Sequence, residues 1–334
     1  MTTVGRQRAA RKRRATTMAG LLAAVLAASL AAGCTTPDGA RDDGRGQEQP
    51  SSPGERESES RKNGASPLVV KIDNVRAARP HTGLNAADIV YVEEVEGGLS
   101  RLMAVYAQKL PKVVGPVRSA RESDLELLRQ FDRPTLAFSG AQSKLMPLIN
   151  KAPLRAEPPG KASDAYFRGS KRPSPHNLYL RPHKLMPSAP GTDALTTGFR
   201  FGAAPAGGKA ETSRTVRYKL AQFTFTWSGS HDRWLVAMDG KAAKTTDGKR
   251  VTAGTVVVQY VKVRRSTFHD SLGNNTPYTQ TVGSGKAKVL RDGRSYDVNW
   301  ERPKDTDGTR FTTRDGKPMN FQHGQVWVVF AKAY

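Results

Sequence analysis

The sequence predicts an α+β protein: a mixed α/β N-terminal domain over residues 67–205, then a smaller, mostly β C-terminal domain over 212–334. Three observations lead there. Between residues 67 and 150, short runs rich in β-branched and aromatic residues alternate with helical stretches. Beyond residue 211, short apolar runs are separated by Asp-Gly pairs, which favour tight hairpins. Between the two lies a stretch of small residues, Phe201-Gly-Ala-Ala-Pro-Ala-Gly-Gly-Lys-Ala-Glu211, that reads as a boundary.

In chain order, residues 1–33 read first as a lipoprotein signal peptide. Arg6, Arg8, Arg11, Lys12, Arg13 and Arg14, with no acid among them, precede an apolar run over 18–32 broken only by Gly20 and Ser29. A helix of about 15 residues rises about 23 Å, short of the roughly 30 Å hydrocarbon core, so a cleaved signal is expected rather than a spanning anchor. The small residues Ala31, Ala32 and Gly33 give a peptidase access to the bond before Cys34. Leu30-Ala-Ala-Gly-Cys34 resembles a bacterial lipobox, its Leu one position farther from the cysteine than usual. Cys34 is the only cysteine, which excludes an intramolecular disulfide and makes it the expected lipidation site, carrying palmitate or a similar acyl chain. Arg13-Arg14 raises twin-arginine export as well as the general secretory route, but the residues after the pair fit the twin-arginine signal poorly. Residues 34–66 are Pro, Gly, Ser, Glu, Asp and Arg with almost no apolar side chain, and are expected to form a disordered tether.

The folded body opens with strands over 68–73 and 88–96, a turn at Gly97-Gly98, and a strand over 102–107. Residues 122–130 read as a helix with Leu125, Leu128 and Phe131 on one face, opened by a Ser119-x-x-Glu122 capping box. A strand over 135–138 follows, then a short helix over 144–150 interrupted by Pro147. In the C-terminal half, strands are expected over 223–227, 234–238, 255–263, 286–290, 296–300 and 326–330. Asp239-Gly240, Asp247-Gly248, Asp292-Gly293, Asp307-Gly308 and Asp315-Gly316 lie between or beside them. Trp227, Trp234, Trp300 and Trp327 read as β core rather than as a carbohydrate platform.

The chain carries a net charge of +23. The signal segment contributes +6 and residues 35–66 contribute −2, which leaves +19 on residues 67–334. Such charge on a cytoplasmic domain would suggest nucleic acid. Export argues against nucleic acid and leaves anionic wall polymers, lipid headgroups or envelope proteins as partners. Charge that only maintains solubility is an equal alternative.

The densest unusual stretch is 71–121. It holds Ile72-Asp-Asn74, Ala78-Arg-Pro-His-Thr-Gly-Leu84, Ala87-Asp-Ile-Val-Tyr91, Glu96-Gly-Gly-Leu-Ser-Arg101 and Gly115-Pro-Val-Arg-Ser-Ala-Arg121. Ser174-Pro-His-Asn-Leu-Tyr179 follows. Together these resemble the YerB-like lipoprotein family, bacterial proteins built on a domain of unknown function. The resemblance covers most of 67–334. It is looser in the C-terminal half, where Trp300, Asp315-Gly316 and residues 324–327 carry it. It implies an α/β N-terminal domain joined to a β-rich C-terminal one, and membrane attachment through a lipid. It implies no established activity.

Function must therefore be argued from residues. The candidate ligand-binding set is Asn74, Arg79, Glu96, Arg101, Arg118, Ser119, Arg121, His176 and Asn177. Arg118 and Arg121 beside an expected helix start suit an anion, although Glu122 and Asp124 already complement that helix dipole. So many charges near strand ends need each other or a ligand, and an ion-pair network and a binding pocket both stay open. His176, held by Pro175, suits a general base or a packed structural residue. The sequence has no nucleophile elbow and no Gly-rich phosphate loop, and His81, His176 and His183 lack a compact ligand spacing. No metal or cofactor is expected. The leading expectation is a non-catalytic lipoprotein on the extracytoplasmic face of the cell membrane, binding an anionic envelope ligand or a protein partner. One alternative is an enzyme on a wall polymer or lipid-linked precursor, with Glu96 or His176 as acid/base. The other is a scaffold in an envelope assembly.

Overall fold

The computed structural model describes residues 65–270 and 273–333. The expected signal peptide, Cys34 and the tether as far as residue 64 lie outside the described residues.

Short runs of β-branched, aromatic and other apolar residues set the first strands. β1 (Leu68–Asp73), β2 (Ile89–Glu94) and β3 (Ser100–Tyr106) pair antiparallel, with β3 in the middle. β4 (Thr135–Ala137) and β5 (Arg155–Glu157) extend the β1 edge in parallel. β6 (Tyr166–Arg168) and β7 (Leu178–Leu180) form a separate hairpin. After β8 (Lys209–Ala210), a second, five-stranded sheet is built from β9 (Ser213–Arg217), β10 (Gln222–Ser228), β11 (Arg233–Met238), β12 (Lys241–Ala242) and β13 (Thr252–Ala253). β14 (Thr255–Val261) returns to the first sheet, while β15 (Val263–His269) and β16 (Asn275–Thr279) pair only with each other. β17 (Gly283–Arg291), β18 (Arg294–Arg302), β19 (Arg310–Thr313) and β20 (Val326–Lys332) complete the chain's strands.

The large sheet has eleven strands in the order β19-β18-β17-β14-β20-β2-β3-β1-β4-β5, with β8 paired to β18. β20 lies parallel to both β14 and β2. One sheet therefore runs across the stretch 201–211 where the sequence suggested a boundary.

Side chains alternate across this sheet, and each face builds a core. On one face Val70, Ile72, Val92, Leu102, Val258 and Trp327 pack with Phe223, Phe225, Trp234 and Val236 of the second sheet. On the other, Val69, Tyr91, Met103, Val257 and Phe330 pack with Leu127, Leu128, Phe131 and Phe321. Central strands covered on both faces read as continuous apolar runs, and Val326-Trp-Val-Val-Phe330 is buried throughout. Trp234, Trp300 and Trp327 are core residues, and Trp227 is half-buried against Trp234.

The described residues form mostly strand. α-Helix is confined to two short elements, Glu122–Leu128 and Met146–Lys151, so the helical share expected of an α/β N-terminal half is small. Pro147 falls in the first turn of the second helix, where its missing N–H costs nothing. The first helix begins at Glu122 as expected and ends two residues early, but its cap differs. Arg121 is its N-cap, and its backbone N–H donates to Asp124 Oδ2 at 2.7 Å, so the Ser119–Glu122 capping box does not form. Ser119 Oγ instead meets Ser139 Oγ at 3.3 Å. The expected strand over 255–263 breaks after Val261 into β14 and β15. Asp292 and Gly293 have φ of 51° and 67°, the left-handed pair of a tight hairpin, and join β17 to β18.

Candidate functional site

The register of three strands assembles the charges. Lys71 and Asp73 share the β1 face of Val69. Asp73 pairs directly with Arg101 of β3, and Arg101 pairs with Glu93 of β2. The ends of three strands thus turn one apolar face into a polar one. The Glu122–Leu128 helix crosses above it and lowers Ser123 and Asp124 onto the strands.

An inner cluster forms under that helix. Lys71 Nζ is ion-paired with Glu93 and donates to Asp124 Oδ1 at 2.6 Å, and Ser123 Oγ donates to Glu93 Oε2 at 3.0 Å. All four side chains are buried. Burial holds the Lys71 ammonium below its ordinary pKa, and the Asp124 carboxylate opposes that shift.

A second cluster gathers around Asp73, which is fully buried. His176 Nδ1 donates to its Oδ2 at 2.7 Å. Arg118 Nε lies 3.3 Å from the same oxygen, and Arg101 Nη1 lies 3.4 Å from Oδ1. Burial alone would raise the Asp73 pKa, but Arg101, the His176 hydrogen bond and Arg118 outweigh it and hold the carboxyl below its usual range. Burial brings the Arg101 guanidinium down to about 10, so it stays charged at neutral pH. His81 is buried beneath, its Nε2–H donating to the Asp73 carbonyl at 2.9 Å, and burial lowers its pKa to about 4.

Beyond Asp73 a cleft of about 460 Å³ opens to solvent, lined on its polar side by Glu96, Arg101, Arg118, Ser119 and Arg121. Arg121 grips Glu96 with both arms of its fork, Nε at 2.7 Å from Oε1 and Nη2 donating to Oε2 at 2.8 Å. Thr276 of the β15–β16 hairpin donates its hydroxyl to Glu96 Oε1 at 2.6 Å. Burial would raise the Glu96 pKa, but the Arg121 hydrogen bond and charge, together with Thr276, hold it below the usual range. Leu99, Leu145 and Phe268 form the apolar part of the wall. Arg101 Nε and Arg118 Nε are buried and make no aligned hydrogen bond.

Five of the nine candidate residues therefore meet in this cleft. His176 reaches the cluster through Asp73 but does not line the cleft. Asn74 is buried alongside, donating to Ser100 Oγ at 2.9 Å and accepting from Arg79 Nε at 3.0 Å. Arg79 continues to Asp239 at 2.9 Å and ties the site's flank to the second sheet. Asn177 belongs to the β6–β7 hairpin, where it accepts from Arg168 at 2.8 Å and donates to the Gly169 carbonyl at 3.0 Å. Lys71, Asp73, Thr276 and Phe268 are site residues that sequence reasoning did not single out. The signal for the first two is a charged side chain at alternate positions of an otherwise apolar strand. Among the described residues no group of three or more His, Cys, Asp or Glu could hold a metal ion. No helix there is long and apolar enough to cross a membrane.

Comparison with known proteins gives a consistent picture. A model of the N-terminal domain of a protein of unknown function (DUF3048) matches residues 53–195, and the DUF3048 C-terminal domain model matches 214–328. A Bacillus subtilis (strain 168) protein named "Putative lipoprotein YerB" is 23% identical over 278 residues, 78% of this chain and 80% of that protein. The crystal structure of YerB protein from Bacillus subtilis shares the fold, with a TM-score of 0.67 at 20% identity over 80% of this chain and 91% of that one.

Proposed function

The chain belongs to the DUF3048 family, and from that premise we propose that it is a lipoprotein of the cell envelope that binds an anionic ligand in the arginine cleft and catalyses no reaction. Cys34 would carry the lipid, and the folded body would stand outside the cytoplasm. The name of the Bacillus subtilis relative supports the lipid attachment, as does the charged, apolar and small-residue order of residues 1–34. The division at 67–205 and 212–334 fits a shared site, with most of the cleft from the first half and Phe268 and Thr276 from the second.

One observation carries the ligand reading. Arg118 lines an open cleft, its buried Nε makes no aligned hydrogen bond among the described residues, and it shares the Asp73 carboxylate with Arg101 and His176. A guanidinium has five donors in a fixed fork suited to an oxyanion. The enzyme reading is weaker. Glu96 is clamped and held ionised by Arg121, which makes it a poor proton donor, and His176 points its Nδ1 at Asp73 outside the cleft lining. The scaffold reading draws support from the closed pairing of Lys71 with Glu93 and Asp124 and of Arg121 with Glu96. Binding of the protein to isolated cell-wall fractions and to anionic lipid vesicles, compared with Arg118→Ala and Arg118→Ala/Arg121→Ala, tests the proposal. Loss of binding in both variants is expected. Unchanged binding would remove the cleft as an anion site and favour the scaffold.

A further inference from the structure

We infer that the ligand of this cleft is a monoanionic amphiphile: one negatively charged oxyanion joined to an apolar body, not a polyanionic polymer. The inference rests on the anion-binding reading above and narrows its ligand.

The first argument is charge stoichiometry. Three cations line the cleft, but two are committed: Arg121 to Glu96 through two contacts, and Arg101, only 6% exposed, to Asp73. That leaves Arg118 as the cation with capacity to spare, its side chain 24% exposed. Two further acids line the same cleft. Glu122 accepts from Ser266 Oγ at 2.5 Å and has no ion pair among the described residues. Asp270 accepts from the backbone and side chain of Asn274 at 2.8 and 2.9 Å. The Lys71 ammonium is no reserve, because Glu93 and Asp124 already enclose it. One incoming negative charge meets the part-exposed Arg118 guanidinium. A second meets the Glu122 carboxylate in a partly desolvated space, where like charges repel far more than in water.

The second argument is the apolar part of the lining. Leu99, Leu145 and Phe268 offer apolar surface to whatever the arginine holds. The cleft's volume of about 460 Å³ falls within the usual range for a small-molecule site, enough for a headgroup and the start of a chain. A wall polymer repeats its charge along a hydrophilic chain and matches neither part of the lining.

Calorimetric titration of the purified protein with four probes tests this. Dihexanoylphosphatidylglycerol has one charge and short tails, dihexanoylphosphatidylcholine has the same tails and no net charge, octanoate is a single-tailed carboxylate, and tripolyphosphate is a tail-free polyanion. The phosphatidylglycerol should bind at least about tenfold tighter than the phosphatidylcholine or tripolyphosphate, and Arg118→Gln should remove that preference. Octanoate binding as tightly would support the class and place its source in free carboxylates rather than phosphodiester lipids. Glu122→Gln, which keeps an acceptor for Ser266, should improve tripolyphosphate binding about fivefold or more by lifting the repulsion. Tripolyphosphate binding tightest in the unaltered protein, with loss in Arg118→Gln, would overturn the amphiphile while leaving an anion site in place. No probe responding to Arg118→Gln would overturn both.

Discussion

Two charge clusters lie side by side on the same strand ends and meet opposite fates. Lys71 and Asp73 are two residues apart on β1 and face the same way. Around Lys71 one cation meets two carboxylates under a helix, and every member is sealed from water. Around Asp73 one carboxylate meets two guanidinium groups and an imidazole, and the surplus cation emerges in an open cleft. The contrast teaches that partner number and solvent access, rather than residue type, separate a structural ion network from a binding site. The sealed cluster should govern stability and the open one should govern ligands.

The sharpest way to break that contrast is Lys71→Met. It leaves Glu93 and Asp124 buried without their cation, and should cost about 4 kcal/mol in urea-unfolding free energy. A loss under about 1 kcal/mol would show that the inner cluster is not structural. Asp73→Asn strands the buried Arg101, and a loss of about 3 kcal/mol is expected in the same assay.

Acid should act next. His81 is neutral when folded, with a pKa near 4 against an ordinary 6.5, so the unfolded chain takes up the proton first. Stability should therefore fall as pH drops from about 6.5 towards 4, by up to about 3 kcal/mol. Asp73 and Glu96, held below their usual range, keep their contribution above that range and lose it only as pH falls through their lower folded values. Unfolding midpoints at several pH values should show the first limb, and His81→Gln should flatten it. A midpoint unchanged between neutral pH and pH 4.5 would contradict the burial of His81.

The smallest stability effect belongs to the open cluster. Arg118→Ala should change unfolding free energy by less than about 1 kcal/mol, because its partly exposed contact with Asp73 is screened. The same change should weaken anion binding by about tenfold. A large stability loss with unaltered binding would reverse the roles assigned to the two clusters.

Strand identity was readable because short runs of β-branched and aromatic residues and Asp-Gly pairs are local. β10, β11, β18 and β20 fall where such patterns occur, each extended by a residue or more. The joining of β20 to β2 was not readable, since no local pattern names a partner more than two hundred residues away. The cleft was half legible. The spacing of Glu96, Arg101, Arg118 and Arg121 flagged a polar constellation, yet Asp73, which organises it, looked like the end of an ordinary strand. The helix cap was misread because Ser119 fits the usual pattern, while Asp124, three residues beyond the true start, reaches back to Arg121. Asn177 shared a motif with His176, but its side chain bonds within the β6–β7 hairpin while His176 reaches Asp73.

The place of β20 also bears on how the molecule is made. A strand synthesised after nearly all the others supplies the rung between β14 and β2, so until it arrives the sheet has two raw edges instead of a middle. Such a chain has little to gain from collapsing before that strand has been made. It can complete its architecture only after that last rung has left the ribosome.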